Sequence, residues 1–430
     1  MKKVSFHTLG FTLNFSESST LARHFVDGGY ERTSSAAESD IIVVNTCSVT
    51  DHADKKCRNL IRRLHRLNPS ALIAVTGCYA QLKSEEIAGI EGVGLVVGNN
   101  GKGSLFELTE RLASHRGTTE IHTCAASELT SFFASFSTGD RTRSFLKVQD
   151  GCDYRCSYCT IPLARGASRN IDIDSLVGEA QAIASSGCRE IVLTGVNIGD
   201  FGRTTGERFI DLLRRLDAVK GIERYRISSI EPNLLSDDVI EFTSCSPKFM
   251  PHFHIPLQSG CDKILALMRR RYNTSMFRNK IEKIRRHVPD AFIGIDVIVG
   301  FPGETDDDFA QTYSFLDSLH PSFLHVFPYS ERADTDAIHM TGKVSPEDKE
   351  RRAARLGELS IRLHRNFAER FVGQKAVMLV EGTRKGGLMF GYTANYLRCE
   401  IPYEKGMIGK LIEITVEEIG DDGTVVKARR

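Results

Sequence analysis

The sequence contains no apolar run that approaches the ~20 residues needed to cross a lipid bilayer. Its first residues, MKKVSFHTLG, are basic but lack the apolar stretch of about 7–15 residues that a signal peptide requires. The chain also has little net charge, because 56 Lys and Arg residues face 55 Asp and Glu residues. A nucleic-acid partner would therefore have to be met by local patches. These absences exclude a membrane-spanning class and predict a cytoplasmic protein.

The composition is that of a globular protein with several domains. The chain has 430 residues, of which 41% are hydrophobic and 26% charged, and this length is sufficient for two or three domains. It contains eleven cysteines, an odd number scattered through the chain. In a cytoplasmic protein this argues against a disulfide framework and favours thiolate ligands for a metal.

The first region, residues 1–116, alternates short apolar runs with helical patterns, which predicts a doubly wound parallel α/β sheet. The predicted strands are Val4–Thr8, Ile41–Thr46, Ala71–Thr76 and Leu95–Val97, and the predicted helices are Ser16–Asp27, Asp51–Leu67 and Ser84–Ile90. Residues 117–143 are rich in Ser and Thr and are predicted to form a linker.

The second region, residues 144–371, repeats the strand–helix alternation six times. Its predicted strands are Ser144–Gln149, Glu190–Thr194, Tyr225–Ser229, His252–Leu257, Ile293–Val299 and Phe323–Phe327. Helices between them include Asp174–Ser186, Asn233–Phe242 and Thr305–Leu319. Six units predict a partial (β/α)6 barrel with its chemistry at the carboxyl ends of the strands. A long helix follows, capped by Ser345 with Pro346 at its first position, and ends near Val372.

The last region, residues 372–430, has short alternating stretches broken by glycines. These stretches are Ala376–Val380, Leu388–Tyr392, Leu411–Val416 and Thr424–Lys427. The pattern predicts a small antiparallel β-barrel.

Residues 151–162, GCDYRCSYCTIP, place the three thiols of Cys152, Cys156 and Cys159 just after the first predicted barrel strand. A structural zinc site uses four protein ligands, commonly in two pairs, and the sequence has no second CxxC pair. Three thiolates on a cubic iron–sulfur cluster leave one iron open to bind a substrate or cofactor. Structural zinc and incidental core thiols remain as alternatives.

The CxxxCxxC spacing after the first barrel strand is the signature of the radical S-adenosylmethionine (SAM) superfamily, and the resemblance extends over nearly the whole chain. The matching stretches are GCDYRCSYCTIPLARGASRN, EIVLTGVNIGDFG, RYRISSIEPNLL, HFHIPLQSG, GIDVIVGFPGETDDDF, NTCSVTDHADKKCRNLIRR and TGCYAQ. Together they resemble the methylthiotransferase family. The C-terminal region resembles a TRAM domain, a small RNA-binding barrel. GVNIGDFG resembles the branch that modifies N6-threonylcarbamoyladenosine beside the tRNA anticodon.

The resemblance implies two [4Fe–4S] clusters, SAM and a one-electron reductant. Cys152, Cys156 and Cys159 would hold the cluster whose open iron chelates SAM, and reduction would yield a 5′-deoxyadenosyl radical. That radical would abstract hydrogen from C2 of the adenine, where a methylated sulfur from the second cluster attaches. The implied partner is the tRNA anticodon stem-loop. The basic run Arg269–Arg271 would hold tRNA phosphates or form a solvated face.

Alternative substrates remain open within the same resemblance. They are isopentenyladenosine in tRNA and an aspartate of a ribosomal protein. A further hypothesis is that the protein is a non-catalytic, tRNA-binding paralogue.

Six residues at the carboxyl ends of the barrel strands are candidates for the SAM pocket. They are Tyr158, Asn197, Ser229, Glu231, Gln258 and Asp296. Tyr158 is expected near the adenine, with a packing role as the alternative. Asn197 suits the methionine amino group, and Glu231 suits a ribose or amino contact. Each assignment rests on position at one end of a barrel.

The chain departs from the family at FHTLGFTLNFSES, residues 6–18. Cys47 and Cys78 each follow a parallel strand of the first domain, so their thiols are expected to meet in the crevice at one sheet edge. The resemblance implies that they bind the second cluster. The family places its third cysteine at the position of Phe11, which has no ligand atom. A substitute ligand such as Cys57, an open cluster or a disabled sulfur donor would each account for this change. We expect impaired assembly of the second cluster.

Overall fold

The computed structural model describes residues 1–114, 118–139, 141–420 and 423–430. Within them, the strands in chain order are β1 (Lys3–Thr8), β2 (Glu31–Arg32), β3 (Ile41–Thr46), β4 (Leu72–Gly77), β5 (Val93–Val97), β6 (Glu120–His122), β7 (Ser144–Lys147), β8 (Glu190–Thr194), β9 (Arg224–Ile227), β10 (His252–Gln258), β11 (Phe292–Val299), β12 (Phe323–Pro328), β13 (Lys375–Lys385), β14 (Leu388–Thr393), β15 (Arg398–Pro402), β16 (Leu411–Ile419) and β17 (Val426–Arg429).

The α-helices are α1 (Thr12–Asp27), α2 (Asp51–Leu67), α3 (Cys78–Leu82), α4 (Ser84–Ala88), α5 (Leu105–Ser114), α6 (Ile161–Arg165), α7 (Ile173–Ser185), α8 (Phe209–Asp217), α9 (Asp237–Cys245), α10 (Asp262–Leu267), α11 (Thr274–His287), α12 (Asp306–Leu319) and α13 (Pro346–Glu369). Of the helices described, none combines the length and apolar character needed to cross a membrane.

The N-terminal region forms a six-stranded parallel sheet in the order β2-β1-β3-β4-β5-β6. All six residues of β3 are buried, which fits a central parallel strand covered on both faces. The carboxyl ends of β3 and β4 pair in register, with Asn45 opposite Thr76 and Thr46 opposite Gly77. Cys47 and Cys78, which directly follow these ends, therefore lie at the same sheet edge. The predicted doubly wound parallel sheet is confirmed.

Part of the segment predicted as a linker belongs to folded domains. β6, at residues 120–122, pairs with the end of β5, and Phe136 forms an antiparallel bridge with Leu146 of β7. Residues 115–117 and 140 lie outside the described residues. Sequence analysis missed β6 because a three-residue strand, EIH, with one apolar residue carries no alternating pattern.

The central region is a partial barrel of six parallel strands, as predicted. β7-β8-β9 and β10-β11-β12 form two three-stranded sheets, and the bridges Tyr225–Phe249 and Ser229–His254 join β9 to the strand that follows. No pairing between β7 and β12 occurs in the part of the chain that the structure describes, so the barrel has an open seam there. Helix α9 begins at Asp237 rather than at Asn233, because Ser236 has the extended backbone of an N-cap.

The C-terminal region closes into a barrel in the order β13-β14-β15-β17-β16, with four antiparallel pairings and one parallel pairing, between β15 and β17. Ahead of it, Ser345 caps α13 as predicted, because its Oγ accepts a 3.0 Å hydrogen bond from the N–H of Asp348. Arg224, the first residue of β9, donates to the carbonyl groups of Val377 and Tyr392 at 2.7 and 3.3 Å. The small barrel therefore closes the amino-terminal end of the larger one.

A buried charge network joins the N-terminal domain to the central barrel. Glu17 of α1 accepts hydrogen bonds from Lys147 and Arg165, each at 3.0 Å, and pairs with Lys102. Asp150 also pairs with Lys147 at 2.6 Å and with Arg165 at 3.0 Å. All five side chains are buried. The neighbouring cations hold the pKa values of both carboxyl groups below their usual range, against the opposing effect of burial.

We expect the Glu17→Gln substitution to lower the free energy of unfolding by about 3–5 kcal/mol, because it leaves the buried Lys102 without its anion and leaves Lys147 and Arg165 with Asp150 alone. Urea denaturation monitored by circular dichroism measures the loss. Glu38→Gln, which removes a solvent-exposed pair with Lys3, is the matched control and is expected to change little. A loss no larger than that of the control would show that the network does not stabilise the domain junction.

Candidate active site

A cavity of about 1000 Å³ runs from the N-terminal sheet edge through the barrel lumen to the C-terminal barrel. Cys47 and Cys78 line one part of it, and Cys159 lines the part next to the CxxxCxxC loop. Tyr392 and Tyr396 of the C-terminal barrel line the far end. All three regions of the chain thus contribute side chains to one cavity, whose volume is at the upper end of the range typical for small-molecule sites.

The loop that carries the three thiols is fixed by close backbone contacts. Gly151 has a φ of 70°, and a Cβ at this position would lie 1.9 Å from the carbonyl oxygen of Ala167. Only glycine combines this conformation with this approach. The next residue, Cys152, donates its N–H to the carbonyl oxygen of Gly166 at 3.0 Å. The loop therefore has a defined path before its cysteines begin.

The structure brings Cys152, Cys156 and Cys159 together as half-buried free thiols. Burial, followed by smaller effects that include the other thiols of the group, raises the pKa of Cys152 and of Cys159 to about 12, and burial also raises the pKa of Cys156. Two donors point at sulfur: the N–H of Tyr154 lies 3.4 Å from Cys152 Sγ, and Arg270 Nη1 lies 3.1 Å from Cys156 Sγ. Such donors stabilise thiolate ligands, so this donor set fits an iron–sulfur cluster.

Arg270 is a residue that sequence analysis interpreted only as part of a basic run. Besides its contact with Cys156, it pairs with Glu231 and donates to the hydroxyl oxygen of Tyr272 at 2.9 Å. Its two neighbours also have partners in the fold, since Arg269 pairs with Asp336 and Arg271 donates to the carbonyl oxygen of Asp153 at 3.1 Å. No motif distinguishes Arg270 from the flanking arginines; only the fold shows that it alone is directed inward.

Four of the six candidate SAM residues line the cavity: Tyr158, Ser229, Gln258 and Asp296. Gln258 has a φ of 70°, a strained value for a residue other than glycine, next to a register shift in the pairing of β10 with β11. Tyr158 also packs edge-to-face on Phe301, with ring centroids 6.2 Å apart. The packing contact considered for it is therefore present, and its position near the adenine stays a prediction.

The other two candidates are not among the residues that line the cavity. Asn197 is buried, and its Nδ2 donates to Asp200 at 2.9 Å, whereas its Oδ1 has no hydrogen-bond partner among the described residues. Glu231 is committed to its pair with Arg270.

The barrel lumen contains a polar group of which only Asp296 was predicted from the sequence. His254 Nε2 lies 2.7 Å from Asp296 Oδ1, and the ring of His325 stacks on that of His254 with centroids 4.9 Å apart. The three side chains come from the adjacent strands β10, β11 and β12. The available signal was the alternation of polar residues along HFHIPLQ, where His252 and His254 share one face of the strand.

Cys47 and Cys78 lie close together at the sheet edge, as predicted from their positions after β3 and β4. Burial first, and then the neighbouring Cys78, raises the pKa of Cys47 to about 11. Arg165 Nε lies 3.3 Å from Cys78 Sγ, and this arginine belongs to the short helix that follows the CxxxCxxC loop. The buried charge network therefore connects the two groups of thiols. Arg165 could not be predicted from the sequence, because it belongs to no motif of defined spacing.

Phe11 lies beside the Cys47–Cys78 site, where a third ligand would be expected. A Cβ on the preceding Gly10 would lie 2.9 Å from Cys47 Cβ, so the backbone at this point contacts that cysteine. Phe11 itself lines the cavity, and 60% of its surface is exposed. Cys57 is fully buried in the core under α2, where its Sγ donates to the Cys47 carbonyl oxygen at 3.5 Å. These residues offer two thiols and no third ligand, so they do not fit a cluster bound by three cysteines.

Comparison with known proteins identifies the family. Residues 3–98 match the family described as "Uncharacterized protein family UPF0004", and residues 146–316 match the radical SAM superfamily. The "Threonylcarbamoyladenosine tRNA methylthiotransferase MtaB" of Bacillus subtilis is 38% identical over 98% of this chain and 95% of its own length. The chain belongs to the radical SAM methylthiotransferase family.

A further relative and a solved structure are also similar to this chain. The "tRNA-2-methylthio-N(6)-dimethylallyladenosine synthase" of Acetivibrio thermocellus is 31% identical over 98% of this chain and 90% of its own length. The structure of the radical SAM methyltransferase TsrM from Kitasatospora setae superposes with a TM-score of 0.57 at 14% identity, covering 76% of this chain and 75% of that one, which supports the fold. The protein is therefore a radical SAM transferase that uses a [4Fe–4S] cluster and SAM, as predicted.

Proposed function

We propose that this enzyme methylthiolates C2 of N6-threonylcarbamoyladenosine next to the anticodon of tRNA, through a 5′-deoxyadenosyl radical derived from SAM. The observation that carries the proposal is the single cavity that joins the CxxxCxxC loop, the Cys47–Cys78 site and the C-terminal barrel. A reaction that joins a radical source, a sulfur source and a nucleoside requires all three to share one space.

In this proposal, Cys152, Cys156 and Cys159 hold the cluster at the barrel, and Arg270 stabilises the Cys156 thiolate. When bound, this cluster supplies the electron that cleaves SAM into methionine and the 5′-deoxyadenosyl radical. The protein binds and orients SAM and excludes water from the radical.

The proposed SAM pocket comprises Tyr158, Asn197, Ser229, Glu231, Gln258 and Asp296. The unpaired Oδ1 of Asn197 is a suitable acceptor for the methionine amino group, because a buried acceptor without a partner is costly. Asp296, held by His254, and Gln258 in its strained conformation face the cavity where the ribose would lie.

The proposed partners are the tRNA anticodon stem-loop and a one-electron reductant, and the proposed location is the cytoplasm. All eleven cysteines of the chain are free, in keeping with a reducing compartment. We propose the domain division 1–116, linker 117–143, barrel 144–371 and a TRAM-like RNA-binding domain 372–430, with the strand at residues 120–122 added to the first sheet.

For the second cluster, we propose that Cys47 and Cys78 are the protein ligands and that Phe11 impairs its assembly. Two observations support this proposal. The exposed ring of Phe11 lines the cavity beside Cys47 and Cys78, and Cys57 is fully buried and does not line the cavity.

The identity of the substrate can be tested by analysing the tRNA nucleosides of a strain that lacks the gene. We expect mass spectrometry to show loss of 2-methylthio-N6-threonylcarbamoyladenosine, and a plasmid carrying the gene to restore it, in part if Phe11 limits the reaction. Loss of the isopentenyl product instead would assign the enzyme to the sister activity, to which the Acetivibrio thermocellus relative's name refers. Unchanged tRNA nucleosides with loss of a methylthio-aspartate from a ribosomal protein would identify a protein substrate. No change in either would favour a non-catalytic tRNA-binding protein.

A further inference from the structure

The cavity has an uneven charge balance. Its described lining includes five arginines and one carboxylate, Asp296. The arginines are Arg141, Arg143, Arg165, Arg226 and Arg398. A cavity with this balance favours a ligand that carries negative charge.

Three of these arginines are neutralised within the fold. Arg165 pairs with Glu17 and Asp150, each at 3.0 Å, and Arg226 donates to Glu190 at 2.8 Å. Arg143 pairs with Glu381 at 2.9 Å. Their charge is therefore used to hold the domains together.

Arg141 and Arg398 have no carboxylate within 4.0 Å among the residues that the structure describes, and their contacts are with aromatic rings. The guanidinium carbon of Arg141 lies 4.2 Å from the ring centroid of Phe15, and that of Arg398 lies 4.8 Å from the ring centroid of Phe390. Stacked guanidinium groups keep their N–H edges free to form paired hydrogen bonds with a carboxylate.

The two arginines reach the cavity from different parts of the chain. Arg141 precedes β7, one of the two strands that border the seam, and Arg398 is opposite Tyr392 in the pairing of β15 with β14. Tyr392 and Tyr396 stack with ring centroids 4.6 Å apart and line the same cavity. These rings form one wall of the cavity, and the two arginines without a carboxylate partner suit a ligand that carries an acidic substituent.

We propose that Arg141 and Arg398 bind the carboxylate of the threonylcarbamoyl group and thereby select a carboxylate-bearing adenosine over one with an uncharged N6 substituent. This inference rests on the proposed function and adds the residues that recognise the substrate of the enzyme. The C-terminal barrel then takes part in recognising the base through Arg398, in addition to any contact with the RNA backbone.

The same chemistry would also suit a backbone phosphate of the RNA, so the experiment separates the two anions. Full-length reconstituted enzyme is titrated anaerobically with three anticodon stem-loop RNAs, which carry N6-threonylcarbamoyladenosine, its carboxyl methyl ester or isopentenyladenosine. We expect Arg398→Gln and Arg141→Gln each to weaken binding of the acid RNA by about 10- to 100-fold, the effect of losing a charge-assisted hydrogen bond. Binding of the ester and isopentenyl RNAs should change less than about twofold.

Two further variants control for folding and for general charge. Arg398→Lys keeps the charge and should recover part of the affinity for the acid RNA. Arg384→Gln removes an exposed arginine of the same barrel that stacks on Tyr403 outside the cavity, and should change no affinity.

Three outcomes would overturn the inference. An equal loss for all three RNAs, with a shallower dependence on salt, would identify a phosphate contact. Unchanged affinity for the acid RNA in both variants would remove the arginines from recognition. A wild-type enzyme that binds acid and ester alike would exclude carboxylate recognition, even where nucleoside analysis supports the proposed function. If nucleoside analysis fails while the wild type prefers the acid, the proposed function alone is wrong.

Discussion

Cys156→Ala is expected to abolish the reductive cleavage of SAM. Cys156 is the central thiol of CxxxCxxC, and its sulfur accepts the Arg270 hydrogen bond, so its loss leaves two thiolates and removes one of the three acceptors of Arg270. After anaerobic reconstitution with iron and sulfide, 5′-deoxyadenosine is quantified by chromatography after addition of SAM and dithionite. The variant should form none above background and should lose the iron and the visible absorbance of the barrel cluster.

Cys245→Ala provides the matched control, because Cys245 is an exposed free cysteine at the end of α9. It should retain wild-type iron content and cleavage. A wild-type protein that remains colourless after reconstitution, or a Cys156→Ala variant that still produces 5′-deoxyadenosine, would contradict the assignment of these thiols.

Phe11→Cys is expected to raise iron and sulfide content by one cluster and to raise methylthiolation from a weak to a readily measurable rate. The backbone at Phe11 is extended, with φ −95° and ψ −177°, which cysteine adopts freely, and the exposed ring contributes little to the core. The new thiol would join Cys47 and Cys78 at the sheet edge. Cleavage of SAM without substrate should change little, because the barrel thiols are untouched.

Phe11→Ser controls for removal of the ring without addition of a thiol, and it should leave iron content and methylthiolation at the wild-type level. If the unaltered chain already carries two full clusters and methylthiolates tRNA at a rate that Phe11→Cys does not improve, a substitute ligand exists. Cys57→Ala would then test the thiol closest in sequence, although reaching the cavity would require Cys57 to leave the core under α2.

The element order and the strand ends could be predicted because alternating strands and helices carry strong local patterns. The position of Cys47 and Cys78 at one sheet edge followed from the general property that neighbouring parallel strands end on the same side. That Cys159 of the barrel lines the same cavity could not be predicted, because it depends on how the two domains pack. Arg165 and Arg270 could not be predicted, since their partners are distant in sequence: Glu17 lies 148 residues from Arg165, and Cys156 lies 114 residues from Arg270. The placement of the C-terminal barrel at the lumen depends on similar long-range contacts.

The buried charge network limits where the molecule can be divided into separate fragments. Its members are Glu17, Lys102, Lys147, Asp150 and Arg165. Two of its members, Glu17 and Lys102, belong to the N-terminal sheet domain, and the other three belong to the barrel. A barrel expressed without that domain would expose two cations next to a single carboxylate, together with the apolar surface around them. Truncation at the apparent linker would therefore yield an aggregation-prone fragment, and the smallest self-sufficient unit that contains the radical centre includes the N-terminal sheet domain.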